Sequence, residues 1–261
     1  DVRRREPPEL RSMTKPFHAA HAARDAVVAT QHARLGLTAD VAALEGDIGY
    51  FRLLGDGAPQ TIRLPSGDTS NNLLASGLSV KRYPCCYNIH RTADAALALH
   101  GRTDLGRVER ITVTLEPGGL DPLIHHRPSS GTEAKFSAEY VAAVSIIDGS
   151  LGLATFDDER ALEPDVQALL RRVEVVESAM PPVGPPEWDF AYSVVQVEAD
   201  GRTLVERTDI PTGHRTRPLA DTEMDVMFLD CLAYADRTDG VDVLASLREP
   251  DASRPISHYR M

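Results

Sequence analysis

The chain carries 28 basic side chains, but only three of them are lysines: Lys15, Lys81 and Lys135. A lysine ammonium is a compact point charge whose pKa moves on burial, whereas an arginine stays protonated, so the two exchange least well where a proton moves or a pocket is tight. The lysines therefore mark where chemistry is to be sought. Lys15 lies in Met13-Thr14-Lys15-Pro16-Phe17-His18, beside an expected helix N-terminus whose free N–H groups and dipole favour an anion. His18, one turn on, adds a titratable donor, and together they suit a carboxylate or phosphate. The plainer reading is a surface lysine and a core histidine.

Lys81 precedes Tyr83-Pro84-Cys85-Cys86, with His90 just beyond. A neighbouring cation lowers a thiol pKa, so this grouping suits an activated cysteine, although buried cysteines are commonly inert. Lys135, Ser137 and Tyr140 read as one helix with Lys135 at its start, and the spacing lets the Ser137 and Tyr140 hydroxyls share a face. A tyrosine there could donate to a substrate carboxylate or carry a proton, or simply pack.

The elements that must position these groups follow from pattern. A helix is expected over 16–35, with Thr14 as N-cap and Gly36 as stop. A short helix at 41–44 precedes a glycine-rich stretch. Helices are expected at 90–100, 137–147, 164–170, 222–234 and 242–247, and strands at 110–115 and 173–176. A hairpin is expected from 192–198 and 203–207, turning at Asp200-Gly201. The fold class is α+β. Compositional changes near Ala75 and Gly213 divide the chain into a partial helical domain (1–75, with 1–12 disordered), an α/β module (76–212), and returning helices (213–261). An all-helical domain interrupted by an inserted α/β lid is the expected architecture.

Composition removes several functions. A net charge of −11 opposes a nucleic-acid surface, since the longest basic run is Arg3-Arg4-Arg5. No apolar stretch approaches the roughly 20 residues that cross a bilayer, and the N-terminus does not read as a signal peptide, so a cytoplasmic location is expected. Three cysteines make no disulfide framework and read as reduced thiols. His18 and His21 share a helix face but have no further ligand nearby in sequence, and His125-His126 lies in a Pro- and Gly-bounded loop and reads as solvated; no metal and no cofactor are expected.

In order, Met13–Arg24, Lys81–Cys86, Ala134-Lys135-Phe136-Ser137-Ala138-Glu139-Tyr140-Val141, Gly213-His214 and Phe228–Ala233 resemble the C-terminal part of the MmgE/PrpD family. The resemblance covers nearly all of the chain after residue 12. It implies a large helical domain with an α/β lid, a homodimer, and metal-free lyase or isomerase chemistry on small di- and tricarboxylates. It also implies that Lys15, Lys81 and Tyr140 act in catalysis, with Thr14, His18 and Cys86 lining the substrate pocket; Lys135 is similar to a family motif residue and is given a structural role. The sequence departs from the family at Thr212, Arg215 and Thr216, and at Met227 where a lysine is usual.

The chemistry that fits is proton removal next to a carboxylate, followed by loss of water or carbon dioxide, or by reprotonation. Each route builds enolate-like charge that fixed cations stabilise. Members of the family are much longer, so this chain is expected to hold part of the pocket: as a truncated product, as a piece completed by a separately encoded N-terminal half, or as an inactive fragment that dimerises or binds. A cysteine-dependent hydrolase is the reading from a different class.

Overall fold

In a chain whose β-branched runs are short and separated by alanine-rich segments, a small sheet with a helical layer is what the pattern can bury. The computed structural model describes residues 14–55, 77–185 and 191–249. It forms two compact units, one within Pro7–Gly77 and one from Leu78 onward.

The first unit holds α1 (Thr14–Arg34) and α2 (Tyr50–Leu54). Helix α1 starts two residues earlier than expected, and its described side chains are exposed along its whole length. Gly36, at φ +93°, ends it as the sequence indicated. The short helix expected at 41–44 is instead a series of turns. The apolar cluster there is too brief to nucleate a helix, and the chain becomes helical only at Tyr50.

The second unit is built on a four-stranded sheet of order β2-β1-β3-β4: β1 (Val108–Leu115), β2 (Val173–Glu177), β3 (Ser193–Ala199) and β4 (Arg202–Thr208). β1 runs parallel to β2, with Ile111 opposite Val173, and antiparallel to β3, with Val113 opposite Val195. The β3–β4 hairpin turns at Asp200-Gly201, both with positive φ, as its sequence demanded. A parallel pair needs a long crossover. Here it consists of α4 (Gly131–Ala134), α5 (Ala138–Asp148), α6 (Asp158–Leu162) and α7 (Pro164–Leu170).

Helix α3 (His90–Leu97) packs over β3 and β4, and α5 packs beside α3 and α7. The core between the layers is Ile111, Val113 and Leu115 below Ala93, Ala96, Val141 and Val144. Every residue of α5 from Ala138 to Ile146 is buried, the signature of a helix apolar on all sides. Ser137 caps its start by accepting from the Tyr140 amide, and Gly149, at φ +67°, ends it. A side chain at Gly149 would also meet the His100 ring at 2.5 Å, so both backbone and space require glycine. Arg160 then ties Asp148 to Asp165, anchoring the end of α5 to α7.

Helices α8 (Asp221–Tyr234) and α9 (Gly240–Arg248) pack on each other. Both were legible as helices, yet their apolar faces stay largely open: Val226 is 59% exposed and Val241 70%. No described helix is long and apolar enough to cross a membrane.

Candidate functional site

The site is built on a strap, residues 79–86, that has no regular structure of its own and is held from all sides. Val80 donates to the Gly213 carbonyl (2.8 Å), the Arg215 amide to the Ser79 hydroxyl (3.1 Å), and the Tyr83 hydroxyl to Asp94 of α3 (2.6 Å). The Cys86 amide donates to the Lys135 carbonyl (2.9 Å). Gly213 has φ +88°, and a β-carbon there would stand 2.2 Å from the Val80 carbonyl oxygen, so only glycine lets the two segments meet.

This strap carries Lys81 into the lining of a cleft of about 430 Å³. Its ammonium donates to the Cys85 carbonyl (2.9 Å), which folds the side chain back over the strap while leaving it exposed to the cleft. The opposite walls are the 149–153 loop and the face of α8 bearing Met227, Asp230 and Cys231. Asp230 fixes the loop by accepting from the Leu153 amide (3.2 Å). The cleft thus presents fixed cationic and carboxylate groups against apolar walls, an arrangement suited to a small polar ligand.

The structure brings the second and third lysine segments together: Lys81 and Lys135 both act electrostatically on the Cys85 thiol. Burial nevertheless pushes that thiol well above its usual range, with Cys86 adding to the rise and the two lysines opposing it. Cys85 is therefore held as the thiol, and the cysteine-hydrolase reading rests on its neighbour Cys86. Cys86 is half-buried at the edge of the core. His90 does not activate a thiol either. Its ring is sealed between Tyr83 and Tyr87 (centroids 5.2 and 4.9 Å), and its nitrogens lie near the Tyr83 and Cys85 carbonyls without reaching hydrogen-bond geometry. Burial, followed by the Lys81 charge, pushes its pKa down to about 4, so it is neutral at pH 7.

Two expectations are corrected. Lys135 and Tyr140 do not share a helix: the chain turns between α4 and α5, leaving Lys135 at the end of one and Ser137 at the cap of the next. Ser137 is the N-cap of α5, the position such a short polar side chain favours over a helix interior, and it marks the break between the two helices. Tyr140 does not present a hydroxyl to a pocket. It is fully buried, its hydroxyl donates to the Thr155 carbonyl, and burial raises its pKa far above physiological pH. In this unit it is a packing residue.

Thr14 and Lys15 lie in the first turn of α1, and their side chains fall outside the described residues. His18 is exposed. His21 sets its ring edge-on to Phe17 at 5.8 Å. His126, expected to be solvated, is indeed largely exposed but donates a 2.7 Å bond to the buried carboxylate of Glu139. Among the described residues no three His, Cys, Asp or Glu side chains are grouped as metal ligands.

The sequence reading missed Asp94, the acceptor for Tyr83. A signal was present: a lone carboxylate in the alanine-rich run His90–Leu97, where a buried charge must find partners.

Residues 83–244 match the MmgE/PrpD C-terminal domain. The chain is 30% identical over 223 residues to a cis-aconitate decarboxylase of Mus musculus, covering 82% of this chain and 44% of that protein. It is 27% identical to the Homo sapiens cis-aconitate decarboxylase (83% and 46%) and 28% identical to a 2-methylcitrate dehydratase of Cupriavidus necator (65% and 36%). The chain therefore spans less than half the length of these relatives. With its C-terminal domain matched over most of the described second unit, the chain belongs to the MmgE/PrpD family.

Proposed function

We propose that this chain supplies the Lys81 side of a lyase active site that builds enolate-like charge next to a carboxylate of a small di- or tricarboxylate, either by removing a proton and expelling the hydroxyl group as water or by releasing carbon dioxide and then taking up a proton. The observation that carries the reading is Lys81, a cation lining a cleft, on a strap clamped at Val80, Tyr83 and Cys86. A cation whose position is set before the ligand arrives stabilises enolate-like charge without reorganising during the reaction. The names of the relatives, a cis-aconitate decarboxylase and a 2-methylcitrate dehydratase, support the same substrate class.

In this reading the 76–212 module is an α/β lid, and the helices on either side belong to one helical domain. Lys15, Thr14 and His18 take part in the family's chemistry, and Cys86 lines the pocket. The chain acts as a homodimer, with further catalytic groups from an N-terminal segment like that of its longer relatives. The charge in the reaction is handled by lysines, without a metal.

Product analysis tests the proposal. The chain, alone and mixed with the purified N-terminal half of a relative, is incubated with cis-aconitate and with 2-methylcitrate. Carbon dioxide release or alkene formation that disappears in Lys81→Ala is the expected result. Reprotonated product without loss of either group would make it an isomerase, and no turnover in either setting would make it a binding fragment.

A further inference from the structure

Lys81 itself makes a weak anchor: one hydrogen bond from its ammonium to the Cys85 carbonyl. What fixes its place is the strap, and one carboxylate joins the strap at Tyr83 to the turn that holds it at Val80. Asp94, its side chain 6% exposed, sits on α3 between the buried Ala93 and the buried Ala95. Its Oδ1 accepts from the Tyr83 hydroxyl (2.6 Å). Its Oδ2 accepts from the Thr212 amide (2.6 Å), the Thr212 hydroxyl (2.9 Å) and Arg217 (2.9 Å).

These donors come from the two segments that bracket Lys81. Tyr83 lies two residues after it on the strap. Thr212 and Arg217 flank Gly213, whose carbonyl receives the Val80 amide just before it. The same turn closes on itself through the Gly213 amide and the Arg217 carbonyl (2.9 Å). A side-chain bond to a buried carboxylate is stronger than an ordinary one, and removing the acceptor leaves several donors without a partner at once.

We propose that Asp94 is the positioning residue for Lys81: by accepting from Tyr83 on one side and from the Thr212–Arg217 turn on the other, it fixes the strap on either side of Lys81 and so sets where the ammonium stands in the cleft. Its importance to function rests on the reading of Lys81 as the substrate-binding cation. The geometric claim does not. Burial and the adjacent Asp94 both raise the Tyr83 pKa, which keeps its hydroxyl a donor at any physiological pH.

The scarcity of lysine makes a direct test available. Each of Lys15, Lys81 and Lys135 falls in a separate peptide after cleavage at arginine, so the acylation rate of each by acetic anhydride can be read by mass spectrometry in the folded chain. In Tyr83→Phe and Asp94→Asn, the Lys81 rate should rise about three- to tenfold, the change in population expected when a hydrogen bond of ordinary strength is lost. The rates at Lys15 and Lys135 should stay at wild-type values. A residue serving general stability would move all three together or none. An unchanged Lys81 rate in a variant that still melts cooperatively overturns the proposal, as does an equal rise at all three lysines. If Asp94→Asn does not fold, Tyr83→Phe and Thr212→Val, which each delete one donor, carry the same comparison.

Repeating the wild-type experiment with cis-aconitate separates the two claims. Protection of Lys81 supports the functional reading, and its absence removes that reading while the variant rates still decide the role of Asp94.

Discussion

Helix α5 is apolar on nearly every side and the α8–α9 pair only in part, yet both present apolar side chains, and one is sealed while the other is open. In α5 the sheet lies below and α3 and α7 lie alongside, so Ala138 through Ile146 vanish from the surface. In α8 only Leu232 is buried, and Met224, Val226 and Tyr234 are 42%, 59% and 51% exposed. Apolar content states that a face gains from cover; it does not say that the cover is in the same unit. The consequence for the site is an asymmetry. The wall carrying Lys81 is braced by a core, whereas the wall carrying Asp230 is attached through few bonds, among them Asp230 to the Leu153 amide and Tyr234 to Asp157.

The contrast can be broken most severely inside α5. Val144→Asp places an unpaired carboxylate at a fully buried position and should cost more than about 3 kcal/mol, abolishing the cooperative thermal transition followed by circular dichroism. Next comes a pH effect from the braced side. Because the folded-state pKa of His90 is depressed to about 4, the unfolded chain binds the proton more readily between its ordinary value near 6.5 and that figure. Stability should be full above pH 6.5 and fall as pH drops through this window, by up to about 3 kcal/mol. His90→Phe should flatten that portion of the stability–pH curve measured by urea unfolding.

Gly149→Ala forces a left-handed backbone on a residue with a β-carbon and drives it toward the His100 ring; a loss of about 2 kcal/mol is expected in the same urea experiment. The smallest effect belongs to the open side. Val241→Asp, on a residue already 70% exposed, should change stability by less than about 0.5 kcal/mol. A large loss there would mean that α9 is covered in solution, for instance by a second copy of the chain, and would erase the contrast with α5.

Much of the framework was readable because local chemistry dictated it. Asp200-Gly201 specified the hairpin, Ser137 and Gly149 bounded α5, and Pro164 opened α7 where the pattern placed it. Lys81 was singled out by residue type alone. Burial was less legible: Tyr140 and Cys85 stand among chemistry-bearing residues in the sequence, yet both are buried by contacts distant in the chain. The pairing of Asp94 with Thr212, 118 positions later, had no local trace beyond an acidic residue in an alanine-rich helix. Likewise the need for glycine at 213 arises from Val80, which meets it only through the fold.

The central claim is that the Lys81 cleft binds a small polycarboxylate. Thermal unfolding of the chain should be measured with increasing cis-aconitate, in wild type and in Lys81→Ala. A ligand that binds only the folded state stabilises it by about 3 kcal/mol at a hundredfold excess over its dissociation constant. The account predicts a midpoint that climbs with ligand in wild type and stays flat in Lys81→Ala. A midpoint that is flat in both, or that climbs equally in both, would contradict it.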